Sequence, residues 1–213
     1  MDLTFPQRLA ERLTGPLPGP MVGSRFEPSP RLGRHYERIP PDARAAAVLI
    51  LLYPHEGHWH LPLTVRPEHL PDHPGQISLP GGSIDPGETS AAAALREFHE
   101  ELGATGHPIR ILGGLSPIYV AASRFRVDPH VAVSESRPPM APSPHEVAEL
   151  LEVPLFHLLD PDSLDCYERH YQGRPYNAPY FDWHGRRIWG ATCMILGELV
   201  ALLEDLGPVA GDI

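Results

Sequence analysis

Lysine is missing: all 17 basic residues of the 213-residue chain are arginine, and Asn177 is the sole asparagine. Without lysine there can be neither a Schiff-base nucleophile nor a phosphate-loop lysine, so two kinds of enzyme chemistry are excluded. Skewed genomic base composition is the plain explanation, although arginine is also the better bidentate clamp for phosphate. Cysteine is scarce too. Cys166 and Cys193 are far apart and in no C-x-x-C pair, so neither a disulfide framework nor a zinc site is indicated, and two buried free thiols are expected. No apolar run approaches the roughly 18 residues that span a bilayer, and the start, MDLTFPQRLAERL, lacks the cationic end and unbroken apolar stretch of a signal peptide. These absences predict a soluble cytoplasmic protein with no membrane partner. Positive charge is also in deficit: a formal net charge of −10 and a pI near 5.7 argue against a general nucleic-acid surface. An anionic substrate would need local cations.

What is present suits one ordinary domain plus an arm, with 42% hydrophobic residues for a core. Residues 1–44 start with a short amphipathic helix, in which Phe5, Leu9 and Leu13 recur near every fourth position, and continue as a proline-rich arm. The domain itself is expected over 45–207, with a tail at 208–213. "AAAVLILLY" (45–53) has strand length and no polar face, and "WHLPLTVR" follows after the turn-like "PHEG", predicting a hairpin with a buried first strand. Short strands are expected at "QISLP", "IRILGGLSPIYV", "RFRVDPHVAV", "AELLEVPL", "DCYERHYQ" and "PYFDWHGRRIWG". Two segments read as helices: "TSAAAALREFHEELG", starting at Thr89 or Ser90 and stopping at Gly103, and the closing "ATCMILGELVALLEDLG". Many strands with few helices predict an α+β fold, a curved mixed sheet held between helices.

Glu97, Glu100 and Glu101 are three and four residues apart, so a helix places them on one face within about a turn. Unpaired, they would repel one another. Counter-cations on a solvated face would answer that, Arg96 being adjacent and Glu88 opening the helix; so would a divalent metal, which prefers hard oxygen ligands. The preceding "LPGGSIDPGE" sets three glycines and two prolines before the helix N-terminus, allowing close backbone approach and fixing the helix angle.

Gly82, five residues, Glu88, seven residues, then Arg96, Glu97, Phe98, His99, Glu100, Glu101, Leu102, Gly103 and Ala104 resembles the Nudix box, with every fixed position filled. The resemblance implies the Nudix fold, an α/β/α sandwich around a curved mixed β-sheet. It also implies Mg²⁺- or Mn²⁺-dependent hydrolysis of a nucleoside diphosphate linked to another moiety. By the same resemblance Glu97, Glu100 and Glu101 bind metal, Arg96 orients a glutamate, Glu88 supports that arrangement, and a homodimer is suggested. The chemistry is consistent, since metal ions neutralise a pyrophosphate's charge and lower the pKa of coordinated water. Glu100, Glu101, Glu146 and Glu149 all stand as candidates for the general base.

Upstream, "LTVRPEHLPDHPGQISLPGG" is similar to the extra signature of the coenzyme A pyrophosphatase branch, matching at Leu63, Thr64, Arg66, Leu70, His73, Gly75, Gln76, Pro80, Gly81 and Gly82. Arg66, Gly75, Gln76, Pro80, Gly81 and Gly82 are therefore expected at the substrate. The branch's usual basic residue is replaced by Pro71, and Arg124 or Arg126 would have to supply that charge unless they form surface ion pairs. CoA or acyl-CoA, cleaved to 3′,5′-ADP and (acyl-)phosphopantetheine, is the expected substrate. ADP-ribose, NADH or a dinucleoside polyphosphate is the alternative. A non-catalytic nucleotide-binding regulatory module is the alternative of another class, which loss of a box glutamate would have favoured. In "HEGHWH", His55, His58 and His60 read as solvated imidazoles in a turn rather than a metal site. Trp183, Trp189, Tyr176 and Tyr180 read as core rather than as a base-stacking platform.

Overall fold

The structure is a computed structural model, and it describes residues 4–19, 24–30, 39–69 and 74–207. Helix α1 (Phe5–Leu13) and a 3₁₀ turn (Ser24–Phe26) precede strands β1 (Arg44–His55), β2 (His58–Val65), β3 (Ile77–Ser78) and β4 (Gly81–Ser83). Then come α2 (Ser90–Leu102), β5 (Arg110–Gly114), β6 (Ile118–Val120), β7 (Phe125–Val133), β8 (Glu149–Pro154) and α3 (Leu155–Leu159). The hairpins β9 (Leu164–Tyr171), β10 (Arg174–Trp183) and β11 (Arg186–Trp189) lead into α4 (Ala191–Leu206).

β1 is the axis of an eight-stranded mixed sheet in the order β3-β2-β1-β7-β5, with β4, β6 and β8 pairing off this path on β1, β7 and β2. It runs parallel to β7 from Arg44 opposite Phe125 to Leu52 opposite Val133. Its other edge is shared: Ala46–Val48 pair with Ser83–Gly81 of β4, and Tyr53–His55 with His60–His58 of β2. The apolar run of β1 is continuous because both of its faces are covered. Ala47, Leu49, Leu51 and Tyr53 face α2, meeting Ala93, Ala94, Phe98 and Leu102. Ala46, Ile50 and Leu52 face the other way, into a core shared with α1, α3 and α4. The result is an α/β/α sandwich, the expected class. A second, three-stranded antiparallel sheet, β11-β10-β9, lies beside α4.

Several expectations change. "AELLEVPL" is strand only to Pro154; the next five residues form α3, whose Leu155 and Leu158 are buried. Cys166 is exposed on β9, so only Cys193 is a buried thiol. His60 is buried rather than solvated, its Nδ1 3.1 Å from the His58 carbonyl oxygen. The helix at the chain's start buries Phe5, Leu9 and Leu13 in the same core as the sandwich. No described helix is long and apolar enough to cross a membrane. Leu70, Pro71, His73 and the tail 208–213 lie outside the described residues.

Candidate active site at the glycine turn and acidic helix

Strand β4 and helix α2 are held at a fixed angle by three local devices. Thr89, not Ser90, caps the helix, its hydroxyl accepting from the Ala92 N–H at 3.2 Å. Gly103 closes it in the left-handed conformation, φ 68°, with its N–H on the His99 carbonyl. Gly81 lies against β1 so closely that a Cβ there would stand 2.3 Å from the Ala47 carbonyl oxygen.

Arg96 organises the carboxylates. Its Nε and Nη2 donate to the two oxygens of Glu88 at 3.1 Å each, Nη1 to Glu97 at 2.9 Å and to Glu100 at 3.0 Å, and Nη2 also to the Ser83 carbonyl at 2.9 Å. Hydrogen bonds from Arg96 hold Glu88 below its ordinary pKa. Glu97 goes the other way, raised mainly by burial, against Arg96 and with the charges of Glu100 and Glu146 adding to the rise. Gly82 gives it room: a Cβ at that position would lie 2.4–2.5 Å from the carboxyl atoms of Glu97.

Glu101 is the outlier. Its side chain is buried and accepts the Gly81 N–H at 3.3 Å. Burial, helped by the charges of Glu97 and Glu146, pushes its pKa up to about 8 despite Gly81 and Arg66. Arg66 and one N–H do not offset the burial, so this carboxyl is short of positive charge. The loop that brings Glu146 close is bonded to the end of α2, Ala141 N–H to the Leu102 carbonyl at 2.7 Å and Ser143 N–H to the Glu101 carbonyl at 2.8 Å.

The fit to a divalent cation rests on this imbalance: Glu97 and Glu101 are oxygen donors facing each other and Glu146, with their pKa values driven upward. Among the described residues no three acidic, histidine or cysteine side chains already converge as a metal cage, since Arg96 holds Glu97 and Glu100. Glu149, the other acid in the later region, is taken by Arg186 at 2.6 Å.

A cavity of about 530 Å³ opens beside this cluster. Arg66, Gln76, Gly81 and Gly82, four of the residues expected at the substrate, line it. Gly75 and Pro80 do not: Gly75 donates its N–H to the Arg66 carbonyl, and the Pro80 carbonyl accepts from Leu49. They frame the wall rather than form it. Trp189 and Tyr176 reach the cavity, whereas Tyr180 is buried behind it and Trp183 packs on His157. Arg169, not singled out by its sequence, also lines it. Arg124 and Arg126 do not; they pair with Asp42 and Asp128.

The NUDIX domain model matches residues 43–184. The chain belongs to the Nudix family. An uncharacterized Nudix hydrolase, NudL, of Yersinia pestis is 34% identical over 139 residues, 64% of this chain and 69% of the relative, and NudL of Yersinia pseudotuberculosis matches equally. Among solved structures, a Nudix hydrolase from M. smegmatis, RenU, aligns with TM-score 0.47 at 24% identity, covering 54% of this chain and 73% of that one. A C. elegans Ap4A hydrolase aligns with TM-score 0.44 at 25% identity, covering 52% and 80%. The protein is thus a Nudix pyrophosphohydrolase, an enzyme acting on nucleoside-diphosphate-linked compounds, and Nudix hydrolases in general use divalent metal ions.

Proposed function

We propose that this Nudix hydrolase cleaves CoA or acyl-CoA at the pyrophosphate, releasing 3′,5′-ADP and (acyl-)phosphopantetheine, with Mg²⁺ or Mn²⁺ held by Glu97, Glu100 and Glu101. The observation that carries the reading is the shared wall: Arg66 and Gln76 of the upstream signature stand in one cavity with Gly81 and Gly82 at the start of the box. Its mixed lining suits a nucleotide joined to a less polar arm.

When bound, the metal ion neutralises charge on the scissile diphosphate and lowers the pKa of water. The protein's own residues do the rest. Arg66 supplies positive charge beside Glu101, and the Gly81 N–H, already a donor to Glu101, fixes that carboxylate. Glu88 grips Arg96 through two parallel bonds, which would keep Arg96 in place were Glu97 and Glu100 to hold a metal. Glu146 is the base we favour among the four candidates, because it lies near Glu97 and Glu101 on a later loop and, among the described residues, has no partner arginine of the kind that holds Glu100 and Glu149. Its carboxylate takes the proton of the attacking water.

The test is turnover of CoA, ADP-ribose, NADH and diadenosine polyphosphates with Mg²⁺ or Mn²⁺, with products resolved by chromatography. The expected result is 3′,5′-ADP from CoA at a kcat/KM at least tenfold above the others. Preference for ADP-ribose or a dinucleotide would overturn the substrate, and hydrolysis of none would point to a binding module.

A further inference from the structure

The cavity carries two arginines, and they serve different places. Arg66, just after β2, lowers the pKa of Glu101 by its charge and so acts towards the acidic helix. Arg169 comes from the second sheet, on β9, and reaches the cavity beside Trp189 and Tyr176. Its guanidinium carbon lies 4.0 Å from the centre of the Trp189 ring, and Nη1 donates to the Tyr167 hydroxyl at 3.3 Å. Tyr167 in turn meets the Trp189 and Tyr180 rings edge-on, at 6.2 and 5.5 Å. Strand alternation puts Tyr167 and Arg169 on one face, and pairing brings Trp189 alongside through Tyr180. The guanidinium is therefore held over the Trp189 ring by packing and one hydrogen bond.

Among the described residues no carboxylate pairs with Arg169, in a chain with 27 acidic against 17 basic residues. Arg44, Arg110, Arg174 and Arg187 likewise have no acidic partner, but they are exposed, whereas Arg169 is half-buried in a cavity wall. A stacked guanidinium with one neutral partner keeps most of its five N–H donors for a ligand, the arrangement that suits bidentate binding of a phosphate.

We propose that Arg169, held over the Trp189 ring, recognises a phosphate outside the scissile diphosphate, namely the one on the ribose of a 3′-phosphorylated adenosine. The inference rests on the CoA reading for the identity of that phosphate. It places the discriminating charge on β9, after the box, where it offsets the basic residue replaced by Pro71 upstream.

The test compares CoA with dephospho-CoA, which share the scissile bond and differ by this phosphate. Wild-type enzyme is expected to favour CoA in KM by at least tenfold. Arg169→Gln should bring the ratio of the two kcat/KM values close to one, and Arg169→Lys should restore part of it. A loosened sheet would depress both substrates alike, so an unchanged ratio in Arg169→Gln overturns the assignment. Binding separates this from the substrate reading: calorimetry with 3′,5′-ADP and 5′-AMP should show tighter binding of 3′,5′-ADP in wild type and loss of that difference in Arg169→Gln. Equal binding of both nucleotides by wild type would overturn the phosphate site whatever the substrate. Turnover of ADP-ribose alone, with 3′,5′-ADP still bound more tightly, would overturn the CoA reading and leave the site standing.

Discussion

Gly81 and Gly82 are neighbours, yet alanine should damage the enzyme in opposite ways. At Gly82 the added Cβ would stand 2.4 Å from the Glu97 carboxyl carbon and 2.5 Å from both its oxygens. Nothing in the backbone is hit, and φ is ordinary there. Ordinary contact begins near 3.4 Å, so the carboxylate must move by about 1 Å. A displacement of that size at a reacting centre costs about 10²-fold in rate, or about 2.7 kcal/mol of barrier. The fold should hold, because alanine also restricts the unfolded chain; stability should stay within about 1 kcal/mol and Tm within about 4 °C. At Gly81 the Cβ would meet the Ala47 carbonyl oxygen at 2.3 Å and Val48 Cα at 2.7 Å, at a φ of +153°. Those are backbone atoms of β1, so relief means parting β4 from β1. Overpacking and strain of this kind cost about 3 kcal/mol, which lowers Tm by about 6–12 °C in a chain of this length. The assays are kcat at saturating substrate with Mn²⁺ and thermal unfolding by circular dichroism. Wild-type kcat in Gly82→Ala, or a Tm loss equal to that of Gly81→Ala, would refute the reasoning.

Glu97→Gln and Glu101→Gln should each lower turnover by about 10³-fold or more while far-ultraviolet circular dichroism stays native, since each removes one charge that the metal needs; unchanged Mg²⁺-dependent rates in both variants would remove these residues from the site. In metal-free protein Glu101 rises from an ordinary 4.5 to about 8, so the folded state holds a proton that the unfolded state has lost. The contribution of Glu101 to stability should therefore be full below about pH 4.5 and be lost up to about pH 8, by about 5 kcal/mol, with Glu101→Gln much flatter in urea titrations under chelator. A wild-type slope in that variant would contradict the assignment. For the same reason Mn²⁺ should raise Tm more at pH 8 than at pH 6. Glu198→Leu should cost about 3 kcal/mol and expose the chain near Gly19 to limited proteolysis, because the buried carboxylate accepts from the Gly19 and Ser116 N–H groups at 2.9 and 3.0 Å and from the Ser116 hydroxyl. Wild-type protease resistance would show that this tie is not what fastens the arm.

Local patterns made much of this architecture readable. The all-apolar run of β1 predicts a strand covered on both faces, and the alanine-rich helix with its threonine start and glycine stop has the bounds that capping chemistry sets. Distance along the chain hid the rest. Nothing around residue 146 says that its carboxylate faces Glu97 and Glu101; that follows from a loop bonded to the end of α2, at a point where a Cβ on Gly103 would sit 2.7 Å from the Ala141 carbonyl oxygen. Glu198 is concealed differently, being an acid inside the apolar run of α4, ahead of Glu204 and Asp205, with hydrogen-bond donors that come from residues 19 and 116. The period-two spacing of Tyr167 and Arg169 was visible, but the pairing that sets Trp189 beside them is a property of the sheet.

The hold of Arg96 on the acidic face also explains how Glu97 and Glu100, two of the three clustered glutamates, fold side by side without a bound cation. One guanidinium satisfies Glu88 twice and Glu97 and Glu100 once each, so the face is neutralised in part by a side chain from its own helix. The bonds are unequal in what they can release. Parallel paired bonds to Glu88 are the stronger and geometrically stricter set, and the single bonds on Nη1 are the ones a competing cation would take. Glu101 has no share in this arrangement and stays buried with a raised pKa. Removing Glu88 would therefore leave Arg96 free to follow Glu97 and Glu100, strengthening its competition with the metal. Glu88→Gln should weaken Mn²⁺ affinity, read as a higher Mn²⁺ concentration at half-maximal rate, more than it lowers the rate at saturating Mn²⁺. Loss of rate at saturation with unchanged Mn²⁺ dependence would mean that Glu88 acts on the reaction itself rather than through Arg96.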